Sequence, residues 1–191
     1  MIRALIFDCF GVLYSDDIQR VYNLVDPQHY DEVRELVHAT DRGNITTDDF
    51  VQAVSQLSGR PVNEVLRIVS AKHDRNEELI ERIRQLRNDY KIGMLSNINV
   101  EAMERIFPKR ERDELFDAVV LSGEVGMIKP DPEIYRIMAR RLNLPTTECL
   151  FIDDIPRNVE GAKQAGMTSI VFTANKGFEA DLGEALRGAN S

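Results

Sequence analysis

Short, almost uninterrupted apolar runs recur along the chain: Ala4-Leu5-Ile6-Phe7, Ile92-Gly93-Met94-Leu95, Ala118-Val119-Val120-Leu121, Leu150-Phe151-Ile152, and a fifth over residues 169–173. Runs without polar alternation predict strands covered on both faces. Between the later runs the apolar spacing becomes helical, over 100–107, over 132–142 with Pro132 in the first turn, and over 159–166. Residues 76–87 read as one more helix, with Leu79, Ile83 and Leu86 on its inner face. Strand–helix alternation builds βαβ units, so the pattern predicts an α/β fold: a doubly wound, Rossmann-like, parallel five-stranded sheet.

The stretch after the first run breaks this alternation. From Asp16 onward the apolar period is helical throughout, in Ile18-Val21-Leu24-Val25, Val33-Leu36-Val37, Phe50-Val51-Val54-Leu57 and Val65-Leu66-Ile68-Val69. Thr46-Thr47-Asp48-Asp49 offers a helix N-cap, and Gly59 with Pro61 ends one helix and admits the next. Residues 16–75 are therefore expected to form a small helical cap inserted into a core made of 1–15 and 76–191. Residues 187–191 are expected to fray.

Composition limits the partners. A chain of 191 residues with 43% apolar content can bury a sizeable core, and its net charge of −8 argues against nucleic acid or an anionic membrane. No run is long enough to span a bilayer and the N-terminus lacks a signal-peptide pattern, so a cytoplasmic location is expected. Cys9 and Cys149 are too few for a disulfide framework or a zinc site, and His29, His38 and His73 share no ligand spacing.

The chemistry is written at the strand ends. The first run leads into Asp8-Cys9-Phe10-Gly11, and the fourth into Asp153-Asp154. The carboxyl ends of parallel strands line one crevice, so three carboxylates are expected to converge. Like charges that close raise one another's pKa unless a cation neutralises them, which points to a divalent metal, most simply Mg²⁺. One of the carboxylates, Asp8, can act as a nucleophile. Ser96-Asn97 closes the second run, and Lys129 stands in Gly126-Met127-Ile128-Lys129-Pro130 after the third.

Nucleophile, hydroxyl, ammonium and acidic pair, in that order, resemble the four motifs of the haloacid dehalogenase superfamily of hydrolases, most of which are phosphatases. The resemblance covers essentially the whole chain. It implies an aspartyl-phosphate on Asp8, a phosphoryl group bound by the Ser96 hydroxyl and the Asn97 amide, and charge neutralisation by Lys129. It also implies Mg²⁺ held by Asp8, the backbone carbonyl of Phe10, and the pair Asp153 and Asp154, with Asn158 fixing the loop behind them. The substrate would be a small phosphorylated metabolite. The turn Arg42-Gly43-Asn44-Ile45-Thr46 resembles one frequent in the sugar-phosphatase branch, and Tyr14, Arg20, His73 and Arg75 could face the site.

One position departs from that pattern. Phosphatases of the superfamily commonly carry a second aspartate two residues after the nucleophile, as general acid and base; here Phe10 stands there. Three readings stay open: a phosphatase with another proton source or an easily departing leaving group, a metal-independent 2-haloacid dehalogenase, whose relatives carry an aromatic residue there but lack the paired acids, and a non-catalytic binding or regulatory domain. A phospho-accepting receiver domain fits less well, because its acidic pair precedes its acceptor.

Overall fold

The computed structural model describes residues 1–189. Five strands, β1 (Ala4–Phe7), β2 (Lys91–Ser96), β3 (Ala118–Leu121), β4 (Cys149–Asp153) and β5 (Thr168–Val171), form one sheet in the order β3-β2-β1-β4-β5. Every pairing is parallel. Phe7 lies opposite Met94 on one side and Ile152 on the other. Asp8 is thereby level with the end of β2 and with Asp153.

Side chains of β1 alternate between two apolar clusters, which is why its sequence shows no alternation of polarity. Leu5 and Phe7 join a cluster with Leu79, Ile80 and Ile83 of α5 (Glu77–Leu86), Met103 of α6 (Val100–Ile106), Leu115 of α7 (Lys109–Leu115), and Phe178 and Leu182 of α11 (Asn175–Gly188). Ala4 and Ile6 join the opposite cluster, with Ile134, Tyr135 and Met138 of α9 (Pro132–Arg141) and Ala162 of α10 (Pro156–Gln164). At the end of β3, Ser122–Val125 forms a short helix, α8.

Between β1 and α5 lie α1 (Gln19–Tyr22), α2 (Tyr30–Asp41), α3 (Thr47–Ser58) and α4 (Val62–Val69). They bury a third cluster of their own, built on Val21, Val33, Phe50, Val54 and Val65. Thr46 caps α3: its hydroxyl accepts from the Asp49 amide at 3.1 Å while the Asp49 carboxylate accepts from the Thr46 amide at 3.0 Å. The insert leaves and rejoins the sheet through one paired crossing, where the Ser15 amide donates to the Asp74 carbonyl at 2.8 Å and the Asn76 amide to the Leu13 carbonyl at 2.9 Å.

The elements depart from the sequence expectation at several ends. β5 closes at Val171, although the Phe172 amide still donates to the Asp153 carbonyl at 2.9 Å, and α10 opens three residues early because Pro156 fits a first helical turn. The 18–25 pattern yields only the single turn α1. Three helices escaped the sequence altogether, α7, the single turn α8, and α11, the last broken at Lys176–Gly177. Of the tail expected to fray, Arg187 and Gly188 complete α11, while Asn190 and Ser191 lie outside the described residues. No helix among the described residues is long and apolar enough to cross a membrane.

Candidate active site

Asp8 follows β1 directly, and its amide donates to the Ile152 carbonyl at 2.9 Å, so strand pairing carries the residue to the sheet edge. Its Oδ1 accepts from the Cys9 amide at 2.7 Å and meets Lys129 Nζ at 2.6 Å. The same Nζ donates to Asp153 Oδ2 at 2.7 Å. Asp8, Lys129 and Asp153 are 5%, 2% and 0% exposed, so one ammonium serves two desolvated carboxylates.

Each partner is fixed from behind. The side chain of Asn97 clamps the backbone of Lys129, Oδ1 accepting from its amide at 2.8 Å and Nδ2 donating to its carbonyl at 3.2 Å. Asp153 Oδ1 accepts from the Ile155 amide at 2.8 Å, and Asn158 Nδ2 reaches both Asp153 oxygens at 3.1 Å. Tyr135 Oη donates to the Asn158 carbonyl at 2.7 Å and closes the chain of support. Buried charges are tolerated when paired and hydrogen-bonded in this way.

Electrostatics divides the acids. Burial pushes Asp8 well above the ordinary carboxylate range, against the pull of Lys129. Burial acts the same way on Asp153, but Lys129 and the Ile155 amide outweigh it and hold Asp153 low. Burial would lower Lys129, yet Asp8 and Asp153 together keep it high. Asp154 is raised to about 6 by burial and by Asp153 beside it. One lysine against three carboxylates leaves the group with excess negative charge, and oxygens of Asp8, Asp153 and Asp154 lie within 4.8 Å of one another.

Two buried polar atoms flank Asp8 without a hydrogen-bond partner among the described residues: Asp154 Oδ1 and Ser96 Oγ. Buried polar atoms are nearly always hydrogen-bonded, so orphans at a cleft mark capacity for a ligand. A cation suits the first and an anionic oxygen the second. Gly11 makes room for Asp154. Its φ is +79°, and a Cβ there would stand 2.2 Å from Asp154 Oδ2.

The site opens into a cavity of about 1050 Å³ between the strand ends and the insert, lined by Asp8, Ser96, Asn97, Lys129 and Asn158 on the core side. The four residues expected to face it do so, but most are committed elsewhere. The Arg75 guanidinium pairs with Glu111 and lies 5.9 Å from the centre of the buried Tyr14 ring. Arg20 pairs with Asp17 at 3.1 Å. His73 Nδ1 lies 3.1 Å from the Ser15 carbonyl and 3.3 Å from Asp17, and its ring packs on Phe10 at 5.0 Å. His38 also lines the cavity, with its pKa lowered by burial, whereas His29 pairs with Glu32. Cys9 and Cys149 are buried free thiols with raised pKa values, inert by that measure.

Sequence reasoning placed Asn97 for its amide and missed its side-chain clamp. It also missed Tyr135, and Asp41, which lines the cavity from the end of α2. A tyrosine between Ile134 and Met138 on an inner helix face was the available signal, since its hydroxyl must find a partner when buried.

Residues 2–166 match the family described as haloacid dehalogenase-like hydrolase. The chain belongs to that family. Among its curated relatives is Phosphatase MT3486 of Mycobacterium tuberculosis, 27% identical over 87% of this chain and 85% of that one. Drimenol cyclase drtB of Aspergillus calidoustus is also 27% identical, but the chain spans only 34% of its length. A haloacid dehalogenase family enzyme of Bacteroides thetaiotaomicron, solved with magnesium and inorganic phosphate, superposes with a TM-score of 0.75 at 24% identity, covering 92% of this chain and 96% of that one. At that identity the likeness speaks for the shared haloacid dehalogenase fold.

Proposed function

We propose that this hydrolase is a Mg²⁺-dependent phosphatase of a small phosphorylated metabolite, acting through an aspartyl-phosphate on Asp8. The observation that carries the reading is the division of labour between the two Asp8 oxygens. Oδ1 is held by Lys129 and the Cys9 amide, which leaves Oδ2, beside the Asp153 carboxylate, as the oxygen assigned to attack. Phosphoryl transfer demands positioning and neutralisation of charge more than covalent help from the protein. Lys129 supplies a fixed positive charge, and Ser96 Oγ with the Asn97 amide is assigned to the phosphoryl oxygens.

The donor set fits a hard divalent cation. Asp8, Asp154 and the Phe10 carbonyl, which accepts no hydrogen bond among the described residues, would hold it, while Asp153 is saturated by Lys129, Ile155 and Asn158. When bound, Mg²⁺ supplies the positive charge that favours ionised carboxylates here and offsets charge on the phosphoryl group. We take residues 16–75 as the cap that closes over the substrate. Its cavity suits a small metabolite. A metal-free 2-haloacid dehalogenase has Phe10 and a likeness in fold to solved 2-haloacid dehalogenases in its favour, but leaves the orphaned Asp154 oxygen without a purpose.

Purified protein assayed on phosphate esters and 2-haloacids, with Mg²⁺ and with excess chelator, tests this directly. Phosphate release that needs Mg²⁺ and disappears in Asp8→Asn, with the melting temperature retained, is expected. Halide release in chelator would overturn the reading, as would phosphate release that survives in Asp8→Asn.

A further inference from the structure

Phosphate esters of ordinary alcohols leave as strong bases unless a proton arrives with the breaking bond, and Phe10 has none to give. For such a substrate a group elsewhere on the cavity wall can supply the proton in its place. Asp41 meets the requirement from the insert side. It ends α2, lines the cavity shared with Asp8 and Lys129, and is only partly exposed. Among the described residues its carboxylate takes no hydrogen bond and no ion pair, unlike Asp17, which is held by Ser15, Arg20 and His73.

Its position is set from the core. Ser122 Oγ donates to the Asp41 carbonyl at 2.6 Å and accepts from the Ile98 amide at 2.8 Å, which ties the end of α2 to the loop that follows Ser96 and Asn97. Gly43, two residues on, has a φ of +74°, and a Cβ there would stand 3.1 Å from the Gly123 carbonyl, so backbone meets backbone at this seam.

We infer that Asp41 is the acid–base residue of this active site, standing on the insert in place of the aspartate that Phe10 displaces. This inference rests on the phosphatase reading above. In the first half-reaction Asp8 Oδ2 forms a bond to phosphorus as the bond from phosphorus to the ester oxygen breaks, and the Asp41 carboxyl proton passes to that oxygen. In the second, a water oxygen attacks phosphorus, its proton returns to the Asp41 carboxylate, and the bond to Oδ2 breaks, releasing inorganic phosphate and restoring Asp8. The required charge state agrees with its surroundings. Burial pushes Asp41 up to about 7, with Asp16 adding to the rise and Lys129 and Arg42 opposing it, so acid and base forms coexist near neutrality.

Asp41→Asn keeps the shape and the carbonyl contact, and is tested with Mg²⁺ on a series of phosphate monoesters running from acidic phenols to simple alcohols. Alkyl ester turnover should fall by ~10²–10⁴. An acidic phenol should still be released in a burst matching the enzyme concentration, followed by slow turnover as phosphoenzyme accumulates, because only hydrolysis then lacks its base. The high-pH fall of kcat/KM for alkyl esters should vanish with the carboxyl group. Equal losses in the aryl burst and in alkyl turnover, or no loss in either, would overturn the role while leaving the phosphatase reading intact. The same leaving-group pattern in His73→Gln instead would transfer the role to His73. A wild-type protein inert toward every ester would overturn the phosphatase reading itself, and the role with it.

Discussion

The strand-end cluster and the helical insert face each other across one cavity, and they are held by different kinds of interaction. On the core side Lys129, Asp153, Asn158 and Tyr135 form a continuous buried chain in which each group fixes the next. On the insert side a cluster rich in valine supplies cohesion, and the polar contacts are mostly local, as in Arg34 with Asp31 and Arg60 with Glu64. Direct ties to the core are few: Ser122 to the Asp41 carbonyl, Asn99 and Arg105 to Thr47, the ion pair of Arg75 with Glu111, and the crossing at Ser15 and Asp74. The groups proposed to react are thus fixed by residues that a small shift would leave uncompensated, while the insert wall of the cavity can change without disturbing them.

Removing one cation from each side is the strongest way to break that contrast. Lys129→Met leaves Asp8 and Asp153 buried without a counter-charge, and truncating one partner of a buried pair costs about 3–5 kcal/mol. At ~2–4 °C per kcal/mol for a chain of this size, the melting temperature should drop by roughly 6–20 °C. Arg60→Met removes an exposed pair with Glu64, for which ~0–1 kcal/mol is the usual range. Calorimetry on both variants decides: similar drops would mean that the cluster is no more tightly coupled than the surface of the insert.

What the sequence disclosed follows the same division. Strand ends were legible because an apolar run announces itself, and the residue that closes it is carried to the sheet edge by pairing. This located Asp8, Ser96 and Asp153-Asp154, whereas Lys129, in the loop beyond α8, was found only by its place in the motif order. Links between residues far apart in the chain were not legible. The clamp of Asn97 on Lys129 and the bond from Tyr135 to Asn158 depend on where side chains point. α7 was hidden for a related reason: Lys109-Arg110-Glu111-Arg112-Asp113-Glu114-Leu115 shows no apolar period because Arg112 fills an inward position, paired with Glu104. α11 was masked by Gly177, Gly183 and Gly188. Asp41 read as an ordinary polar helix end, since nothing local reports that the cavity lies beside it.

Glycines sharpen the comparison at smaller cost. Gly11 and Gly59 both have positive φ, +79° and +65°, so alanine strains either by roughly 1–2 kcal/mol. A Cβ at Gly59 meets nothing within 4 Å, whereas at Gly11 it collides with the carboxylate of Asp154. Gly11→Ala should lose at least as much stability in chelator as Gly59→Ala, and only Gly11→Ala should lose the rise in melting temperature produced by Mg²⁺. A Mg²⁺-dependent rise preserved in Gly11→Ala would show that Asp154 does not hold the ion.

The smallest effect is expected at Phe10, where the two regions touch. The Phe10 ring belongs to the core loop and packs on His73 of the crossing, an aromatic contact of about 0.5–1.5 kcal/mol. Phe10→Asp gives up that contact and places a carboxyl group two residues past the nucleophile. With Asp41 in place the new acid duplicates one already present, so alkyl phosphate turnover should change less than about tenfold, well short of the range for general acid–base catalysis. In the Asp41→Asn background the same substitution should restore alkyl turnover by at least about tenfold and leave the aryl burst unchanged, because a grafted acid is seldom perfectly placed yet supplies the only proton. Steady-state and burst kinetics on the single and double variants measure this. A large gain from Phe10→Asp alone would mean that the insert contributes no proton and that the core loop simply lacks its acid. Loss on alkyl and aryl esters alike in both backgrounds would mean that the ring holds the crossing in place, and that the two sides of the cavity are mechanically less separable than their packing implies.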